Sequence, residues 1–439
     1  MRSVSSWGNY PVVEQSVHAL AWRDEHLPVT EGHTLLAHGQ GRSYGDVALN
    51  AGGTVLTTTR LDRFLSFDTA HGVLCAEAGV TLAQILKVIV PHGWFLPVTP
   101  GTRFVSLGGA VANDVHGKNH HQAGTFGNYV QRLALRRSNG ELLICTPTQN
   151  RDLFRATIGG LGLTGLIVWV EFSLKKIHST CIEQETVRFA NLAEFHELSA
   201  ASAADWEYTV AWVDCLASGN QLGRGIFFRG RHAAADASLD KTPAADKPGL
   251  AVPFNLPGWL LNRQSVRLFN SLYYNKPRKP ASRVHFEPFF YPLDKLASWN
   301  RLYGRRGFFQ YQCVLPHSAG QEAMREILTT IADSGQGSFL SVLKVFGEVP
   351  SPGMLSFPRP GTTLALDFAN HGSKTRKLFA QLDQITVKYN GAVYPAKDAC
   401  MSAASYQHYY PQWREFSQFI DPAFSSSFWR RVTNPDVTA

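Results

Sequence analysis

The sequence predicts an α+β protein of two domains, one built from small α+β subdomains and one from an antiparallel sheet with helices. Two observations carry this fold class. Up to about residue 178, short β-rich runs alternate with turn signals and glycine-rich loops. From there to residue 391, strands alternate with helices that have an apolar face. At 439 residues the chain is long enough for two or three domains with a sizeable core.

The first domain, residues 1–178, opens with a predicted short helix over residues 13–23. Strands are predicted within residues 34–37, 54–59, 64–79, 133–147 and 163–174. Asn139-Gly140 inside the fourth of these runs is a hairpin turn signal. Apolar residues at helical spacing predict helices over residues 82–93 and 151–158, each followed or closed by glycine.

The second domain is predicted to span residues 179–391, after which residues 392–439 return to the first domain. Its strands are predicted within residues 207–216, 224–231, 310–316, 339–347 and 363–368, and its helices within residues 320–335 and 373–391. Residues 232–247, rich in Ala, Asp and Lys, predict a mobile loop. Residues 250–275 are apolar and aromatic around Arg263 and Arg267, which favours either a core-packing segment or a surface that grips lipid.

Two glycine-rich stretches, residues 38–50 and 99–128, carry the first indication of function. Glycine accepts positive φ and has no Cβ, so such stretches let main-chain N–H groups approach a large phosphate-bearing ligand. The first stretch follows the predicted strand at residues 34–37 and would form a tight turn at its end. An ordinary glycine-rich surface loop is the alternative. A Rossmann fingerprint is not present, because Gly39 and Gly41 lead into more loop and not into a helix.

The two stretches resemble the FAD domain of the vanillyl-alcohol oxidase and p-cresol methylhydroxylase superfamily. Within that superfamily the chain is most similar to the decaprenylphosphoryl-ribose 2′-oxidase family. The motifs that carry the resemblance are GRSYGD (41–46), HGKNHH (116–121), GGLGLTG (159–165), FFYPLD (289–294), GFFQYQCVLP (307–316), SFLSVLKVFG (338–347) and YPAKD (394–398). The resemblance extends from about residue 34 to about residue 419.

The resemblance implies FAD as the cofactor, bound noncovalently because Arg42 stands where covalent members carry a histidine. The residues that it places against FAD are Gly39, Gln40, Gly41, Arg42, Ser43, Tyr44, Gly45, Asp46, Pro100, Gly101, Thr102, Ser106, Gly108, Gly109, Asn113, Asp114, His116, Gly117, Asn119, Gly165, Ile167, Tyr394 and Lys397.

Three residues are candidates for the chemistry: Lys397, His116 and Tyr44. A lysine in the apolar run AVYPAKDAC is unexpected, and its alternative is to reach solvent or to pair with Asp398. His116 with His120 has the i, i+4 spacing of a metal pair, but the loop signals around it argue against a helix, and no metal site is predicted. The resemblance places these residues near the substrate: Gln310 and Gln312 on a strand neighbouring Lys344, with Phe346, and Ala365 where the best-known members have cysteine.

Composition limits the classes of partner and compartment. The net charge of +8 comes from scattered basic residues with no block of five or six, so no nucleic-acid partner is predicted. Six well-separated cysteines are typical of reduced thiols in a cytosolic chain. No signal peptide is recognisable, and the longest apolar stretch, residues 161–170, is well short of the ~18 residues that cross a bilayer. We therefore expect a cytoplasmic protein, soluble or peripheral at the inner face of the membrane.

The resemblance implies FAD-dependent oxidation of the 2′-hydroxyl of a polyprenyl-phospho-pentose to a 2′-keto sugar. This would be the first half of an epimerisation in cell-wall arabinan biosynthesis, completed by a separate NAD(P)H-dependent ketoreductase. One alternative is a soluble alditol or aldonolactone oxidase, which needs no lipid-facing surface. The other is a flavin-binding partner subunit without turnover.

Overall fold

A computed structural model describes residues 4–29, 32–234, 250–255, 257 and 261–434. The strands of this part are β1 (Ser16–Ala19), β2 (Leu35–His38), β3 (Thr54–Thr57), β4 (Phe64–Asp68), β5 (Val73–Glu77), β6 (Trp94–Phe95), β7 (Val130–Arg136), β8 (Leu142–Cys145), β9 (Leu166–Ser173), β10 (Lys175–Lys176), β11 (Cys181–Phe189), β12 (Tyr208–Val213), β13 (Gly225–His232), β14 (Leu250–Ala251), β15 (Ala281–His285), β16 (Leu296–Ala297), β17 (Phe308–Leu315), β18 (Ser341–Phe346), β19 (Gly361–Ala369) and β20 (Ala392–Val393). The helices are α1 (Leu82–Ile89), α2 (Leu107–Ala112), α3 (His120–Ala123), α4 (Arg151–Thr157), α5 (Leu192–Ser202), α6 (Arg263–Asn275), α7 (Phe286–Phe290), α8 (Gly320–Ser334), α9 (Ser373–Lys388), α10 (Ala403–Tyr409), α11 (Trp413–Ser417) and α12 (Ser427–Thr433).

Three sheets organise the fold. A parallel sheet has the order β1-β3-β2, and an antiparallel sheet has the order β4-β5-β9-β7-β8. The largest sheet is antiparallel, with the order β15-β11-β13-β12-β18-β19-β17-β20. The predicted α+β class is therefore confirmed. The predicted boundaries at residues 178 and 391 stay a proposal. With these boundaries β11 is the first strand of the second domain, whereas β20 follows residue 391 and still pairs with β17 of the second domain.

The local signals read from the first domain are largely confirmed. Helix α1 begins in a capping box between Thr81 and Gln84 and is followed by Gly93 in the left-handed conformation, as its sequence predicts. Strands β7 and β8 pair as an antiparallel hairpin, and Gly140 in their turn has a φ of +89°.

The helix predicted over residues 13–23 is wrong. Residues Ser16–Ala19 instead form β1, which pairs in parallel with β3 from Ser16 to Ala19. An edge strand with few buried side chains gives no clear two-residue alternation, and its pairing with β3 outweighs weak local helix propensity.

The large sheet has one face against helices, as predicted. Apolar residues of α5, α8 and α9, such as Phe195, Ile327 and Leu382, share one buried cluster with Leu364 and Leu366 of β19. Because side chains alternate along a strand, strand residues such as Ala365, which lies between Leu364 and Leu366, point to the opposite face of the sheet. That opposite face is free to line a ligand cavity.

Helix α6, within residues 250–275, has both buried and exposed side chains, and whether its exposed side contacts lipid stays a prediction. Within α6, Val266 and Asn270 are buried, whereas Leu268 and Leu272 are 62% and 65% exposed. Trp259 and most of the loop predicted over residues 232–247 lie outside the described residues. In the described part of the chain, every helix is too short or too polar to cross a membrane.

Candidate active site

A cavity of about 810 Å³ lies between the two glycine-rich stretches and the free face of the large sheet. Most residues that the sequence places at the site line it: Gly39, Gln40, Gly41, Arg42, Ser43, Tyr44, Pro100, Gly101, Thr102, Ser106, Gly108, Gly109, Asn113, His116, Gly117, Gly165, Ile167, Gln310, Gln312, Lys344, Ala365, Tyr394 and Lys397. The fold therefore gathers residues more than 350 positions apart in the chain around one space.

The first loop presents a run of free main-chain donors. None of the N–H groups from Gly39 to Ser43 donates a hydrogen bond to a described residue. Gly41 has a φ of +61°, and a Cβ on Gly39 would lie 2.2 Å from Oγ of Ser106 in the second stretch. Glycine is thus required for the two loops to meet, and the unpaired N–H groups form a concave donor surface suited to phosphate.

The second glycine-rich stretch contains the short helix α2, which packs it against the rest of the first domain. Ser106 caps α2, accepting a hydrogen bond from the N–H of Gly109 at 3.3 Å. A Cβ on Gly108 would lie 2.8 Å from the Cβ of Ala78, so glycine lets the helix pack closely against the residue that follows β5. The stretch then runs on through Asn113 to His116 along the cavity.

The sheet wall of the cavity follows from strand alternation. In β17, Gln310 and Gln312 line the cavity, whereas Tyr311 and Cys313 face the helices. In β18, Val342 and Lys344 line the cavity.

The expectation that Lys344 lies on a strand next to Gln310 and Gln312 is wrong. Strand β19 separates β18 from β17, with Ala365 of β19 opposite Gln312 on one side and Val342 on the other. Sequence order did not reveal this, because β19 follows both strands in the chain and inserts between them.

The apolar residues around Lys397 are typical of a buried strand, but Lys397 does not lie in one. It ends a 3₁₀ turn, Pro395–Lys397, that follows β20. Its ammonium lies 4.2 Å from the centroid of the Tyr44 ring, and the N–H of Tyr44 donates to the carbonyl of Ala396 at 2.9 Å. The structure thus places two of the three candidate catalytic residues in contact.

Asp367 adds a carboxylate that the sequence analysis missed. It is fully buried on β19, and its Oδ1 accepts a hydrogen bond from Nε2 of Gln310 at 2.5 Å. The same amide nitrogen donates to the Tyr44 hydroxyl at 3.2 Å. Burial raises the pKa of Asp367 to about 7, and Lys397 opposes this rise. An acid in the otherwise apolar run TLALDF, two residues after Ala365, was the available signal.

His116 is buried at the sheet wall as a neutral imidazole. Nε2 of Gln312 donates to its Nε2 at 3.0 Å, so the ring proton is on Nδ1, which has no partner among the described residues. Burial, followed by the charge of Lys344, lowers the pKa of His116 well below its usual value. An unpartnered donor in a cavity wall is consistent with a ligand acceptor at this place.

Three lysines give the cavity an excess of positive charge. Lys118, Lys344 and Lys397 all line it, and none forms an ion pair with a described residue. Withdrawal from water lowers their pKa values, to about 8 for Lys118 and Lys397 and about 7 for Lys344. Lys118 belongs to the HGKNHH motif but was not predicted as a site residue. Such a cluster favours an anionic ligand.

Five predicted site residues do not line the cavity. They are Gly45, Asp46, Asp114, Asn119 and Phe346. Asp114 accepts hydrogen bonds from Gly127 and Ser356, and Asn119 donates to Pro97. These residues support the loops from behind, since loop motifs contain framework positions as well as contact positions.

Gly45, Asp46 and Phe346 have the same supporting role. Asp46 binds Arg431 on α12, and a Cβ on Gly45 would meet the carbonyl of Asp398 at 1.8 Å. Phe346 packs its ring 4.9 Å from that of His116 and 4.3 Å from that of His120. The ammonium of Lys344 also lies 5.5 Å from the Phe346 ring centroid, so Phe346 supports both the histidines and this lysine.

An apolar arm of the cavity was also missed. It is lined by Val210, Leu293, Leu296, Trp299, Leu340 and Val342. Leu293, Leu296 and Trp299 belong to one segment, but Val210 and the pair Leu340 and Val342 lie far from it in the sequence, so only the fold brings the whole set together.

Comparisons with known proteins assign this site to a family. The decaprenylphosphoryl-β-D-ribose oxidase of Mycolicibacterium smegmatis is 37% identical over 416 residues, covering 91% of this chain and 89% of that protein. The chain belongs to this oxidase family. It is accordingly an FAD-dependent oxidoreductase with the vanillyl-alcohol oxidase type of fold, and a family profile for an FAD binding domain matches residues 25–146.

More distant relatives share less of the chain. An uncharacterized protein of Streptomyces coelicolor is 30% identical over 80% of this chain and over its own full length. A putative D-arabinono-1,4-lactone oxidase of Neurospora crassa is 30% identical, but over only 30% of this chain and 24% of that protein. Similarity over the whole chain therefore connects it to the oxidase family, and the lactone oxidase shares only a part.

The residues around the cavity fit FAD. The unpaired N–H groups of Gly39–Ser43 would hold its pyrophosphate, and Nδ1 of His116 and the ammonium of Lys397 offer donors for the flavin ring. Arg42 lies 4.3 Å from the Trp7 ring centroid and provides no nucleophile at this position.

Flavin is expected to be released when the purified protein is precipitated with acid. Arg42 cannot form the covalent link that a histidine would form, so FAD is held only by hydrogen bonds and packing that denaturation removes. The absorbance of the supernatant and of the washed pellet at the flavin maximum measures this release. Colour that stays with the pellet would contradict noncovalent binding.

Proposed function

We propose that the chain oxidises the 2′-hydroxyl of a polyprenyl-phospho-pentose, decaprenylphosphoryl-β-D-ribose or a close relative, to the 2′-keto sugar. One observation carries this proposal: the FAD-type loops, Lys118, Lys344, Lys397 and the apolar arm all line a single cavity. Lysines suit a phosphate, amides suit sugar hydroxyls, and the arm suits a prenyl chain. The name of the Mycolicibacterium smegmatis relative supports the same substrate class.

Each part of the chemistry has a candidate group. When bound, FAD supplies the hydride acceptor for the carbinol carbon. Gln310 and Gln312 present amides that can orient the sugar hydroxyls. Lys397 provides positive charge in a partly dry cavity, where it stabilises the negative charge that develops during hydride transfer. The hydroxyl proton leaves to a protein group or to water.

Trapping the product tests the proposal. The protein is incubated with decaprenylphosphoryl-ribose and an electron acceptor, the mixture is reduced with borodeuteride, and the sugar is analysed by mass spectrometry and NMR. We expect one deuterium at C2′, giving both the ribo and the arabino epimers. Deuterium at another carbon would contradict oxidation at the 2′ position. Because the keto sugar must be reduced to complete an epimerisation, we also propose an NAD(P)H-dependent ketoreductase as partner.

The alternatives have less support. A soluble alditol or aldonolactone oxidase has no need of the apolar arm, and the lactone oxidase relative matches only 30% of the chain. A flavin-binding subunit without turnover has no need to keep Lys397, Tyr44 and His116 around one cavity.

Peripheral contact with the inner face of the cell membrane is the proposed location. Helix α6 exposes Leu268, Phe269 and Leu272 beside the exposed side chains of Arg263 and Arg267. This helix adjoins the apolar arm, because Phe269 packs on Phe339, which precedes the arm residue Leu340. An apolar helix face with flanking arginines is suited to an anionic membrane surface.

Replacing Leu268 and Leu272 by serine is expected to weaken binding to anionic vesicles by about 100-fold, since burying each leucine contributes about 1.5 kcal/mol. Binding of the parent should also weaken as salt rises, because Arg263 and Arg267 contribute. Vesicle cosedimentation measures both effects. The control is Val12→Ser, which removes an apolar group that is 91% exposed and does not belong to α6. Equal binding by all three proteins would contradict contact through α6.

A further inference from the structure

A buried ion cluster lies outside the cavity, centred on Arg431 of α12. The guanidinium donates from Nε to Oδ2 of Asp46 at 2.9 Å and from Nη2 to Oδ1 of Asp46 at 2.8 Å. Nη2 also donates to Oδ2 of Asp398 at 2.9 Å, and Nη1 donates to the carbonyl of Met401. The exposed fractions of Asp46, Asp398 and Arg431 are 4%, 4% and 6%. Removing these charges from water costs free energy that only such complete pairing offsets.

The two carboxylates belong to the two segments that carry the candidate catalytic pair. Asp46 follows Tyr44 by two residues, and Asp398 directly follows Lys397. The segments also touch through their backbones, since the N–H of Tyr44 donates to the carbonyl of Ala396 at 2.9 Å. One guanidinium therefore clamps the first FAD loop to the turn that holds Lys397.

We propose that Arg431 is a positioning residue that fixes the ammonium of Lys397 over the Tyr44 ring. Arg431 does not line the cavity, so it acts through Asp46 and Asp398. The turn that ends at Lys397 has three residues, and the strand before it, β20, has two. Short elements such as these leave the position of the turn dependent on its tertiary contacts. Without the clamp, the turn and the loop can shift relative to each other while each keeps its own fold. The role in turnover rests on the proposed function.

The neighbouring Arg430 provides a matched control. Its Nη1 donates to Oδ1 of Asn50 at 2.8 Å and its Nη2 donates to the carbonyl of Ala51 at 2.9 Å. It therefore fastens the same helix to the region after the first loop, but makes no hydrogen bond to the Lys397 turn. Substituting either arginine removes one positive charge and one set of contacts of α12.

The test compares Arg431→Gln with Arg430→Gln, both loaded with FAD. We expect Arg431→Gln to lower the limiting rate of flavin reduction by substrate by about 100-fold, because misplacement of a reacting group by about 1 Å has that effect. KM should change little, since the lysines and the apolar arm remain in place. The visible circular dichroism of bound FAD, which needs no substrate, should change in Arg431→Gln and not in Arg430→Gln. Thermal unfolding of both variants measures the stability loss.

Two outcomes would overturn the proposal, and two further cases have their own controls. A parent-like rate and a parent-like circular dichroism spectrum in Arg431→Gln would overturn it, as would equal defects in both variants at equal loss of stability. If Arg431→Gln does not fold, Asp398→Asn replaces it. The amide oxygen can still accept from Cys400 and Met401, whereas the NH2 group that then faces Arg431 cannot accept its hydrogen bond. If the glycolipid does not reduce the parent flavin, the proposed function fails, and the circular dichroism comparison still decides the positioning role.

Discussion

Lys397→Met is expected to lose nearly all reduction of flavin by substrate while keeping the fold and FAD. Lys397 lines the cavity, contacts Tyr44 and has no ion-pair partner among the described residues. Its charge is therefore available to the reaction centre, where removal of one such donor lowers the rate by about 100- to 1,000-fold, or about 3–4 kcal/mol. Methionine fills a similar volume, so the free energy of unfolding should change by only about 1 kcal/mol.

Rapid-mixing reduction at saturating substrate measures this effect. Lys388→Met, at an exposed lysine paired with Glu326, is the control and should react like the parent. The pH profile of the parent gives a second check. Burial lowers the pKa of Lys397 to about 8, so the ammonium is present below that pH and the rate should fall as pH rises through it. A rate that rises through pH 8, or a parent-like rate in Lys397→Met, would contradict a role for the cation.

Lys344→Met is expected to raise KM for the phosphorylated substrate by roughly 10- to 100-fold, the effect of losing one charged hydrogen bond of about 1.5–3 kcal/mol. Lys344 lines the cavity, and the only hydrogen bond of its ammonium to a described residue is to the carbonyl of Gly117, at 3.4 Å. Burial and the charges of Lys118 and Lys397 lower its pKa to about 7. The negative charge of a bound phosphodiester would offset this repulsion and favour the charged form of Lys344.

An unphosphorylated alkyl riboside separates this role from general damage to the cavity. Its KM should be high for the parent and nearly unchanged by Lys344→Met, since the lost partner is the phosphate. Lys374→Met, at an exposed lysine that lies outside this cavity, is the control. An equal rise in KM for both substrates would contradict phosphate binding by Lys344.

The sequence predicted the parts of this protein that depend on local chemistry. Glycine-rich stretches, apolar residues at helical spacing and short β-rich runs are local properties, so the loops, α1, β17 and the α+β class were recognisable. Residues 13–23 were misassigned because pairing of β1 with β3 is a tertiary interaction. Local patterns could not show it.

Most of the candidate site was predicted from family motifs, although Lys118 of HGKNHH was overlooked, and the rest was missed because only the fold assembles it. Lys397 and Tyr44 came from motifs, but their contact depends on a turn and a loop that lie 353 residues apart. Asp367 and the apolar arm depend on strand order, which places β19 between β18 and β17. Asp46 of the motif GRSYGD was predicted to contact the cofactor, whereas its carboxylate binds Arg431.

Anaerobic titration of the purified protein with candidate substrates tests the central claim most directly. The flavin absorbance is followed while decaprenylphosphoryl-ribose, the unphosphorylated riboside, alditols and aldonolactones are added separately. The proposed function predicts stoichiometric bleaching of the flavin by the polyprenyl-phospho-pentose at low concentration and little bleaching by the other compounds. Bleaching by an alditol or an aldonolactone, with none by the phosphorylated glycolipid, would contradict it.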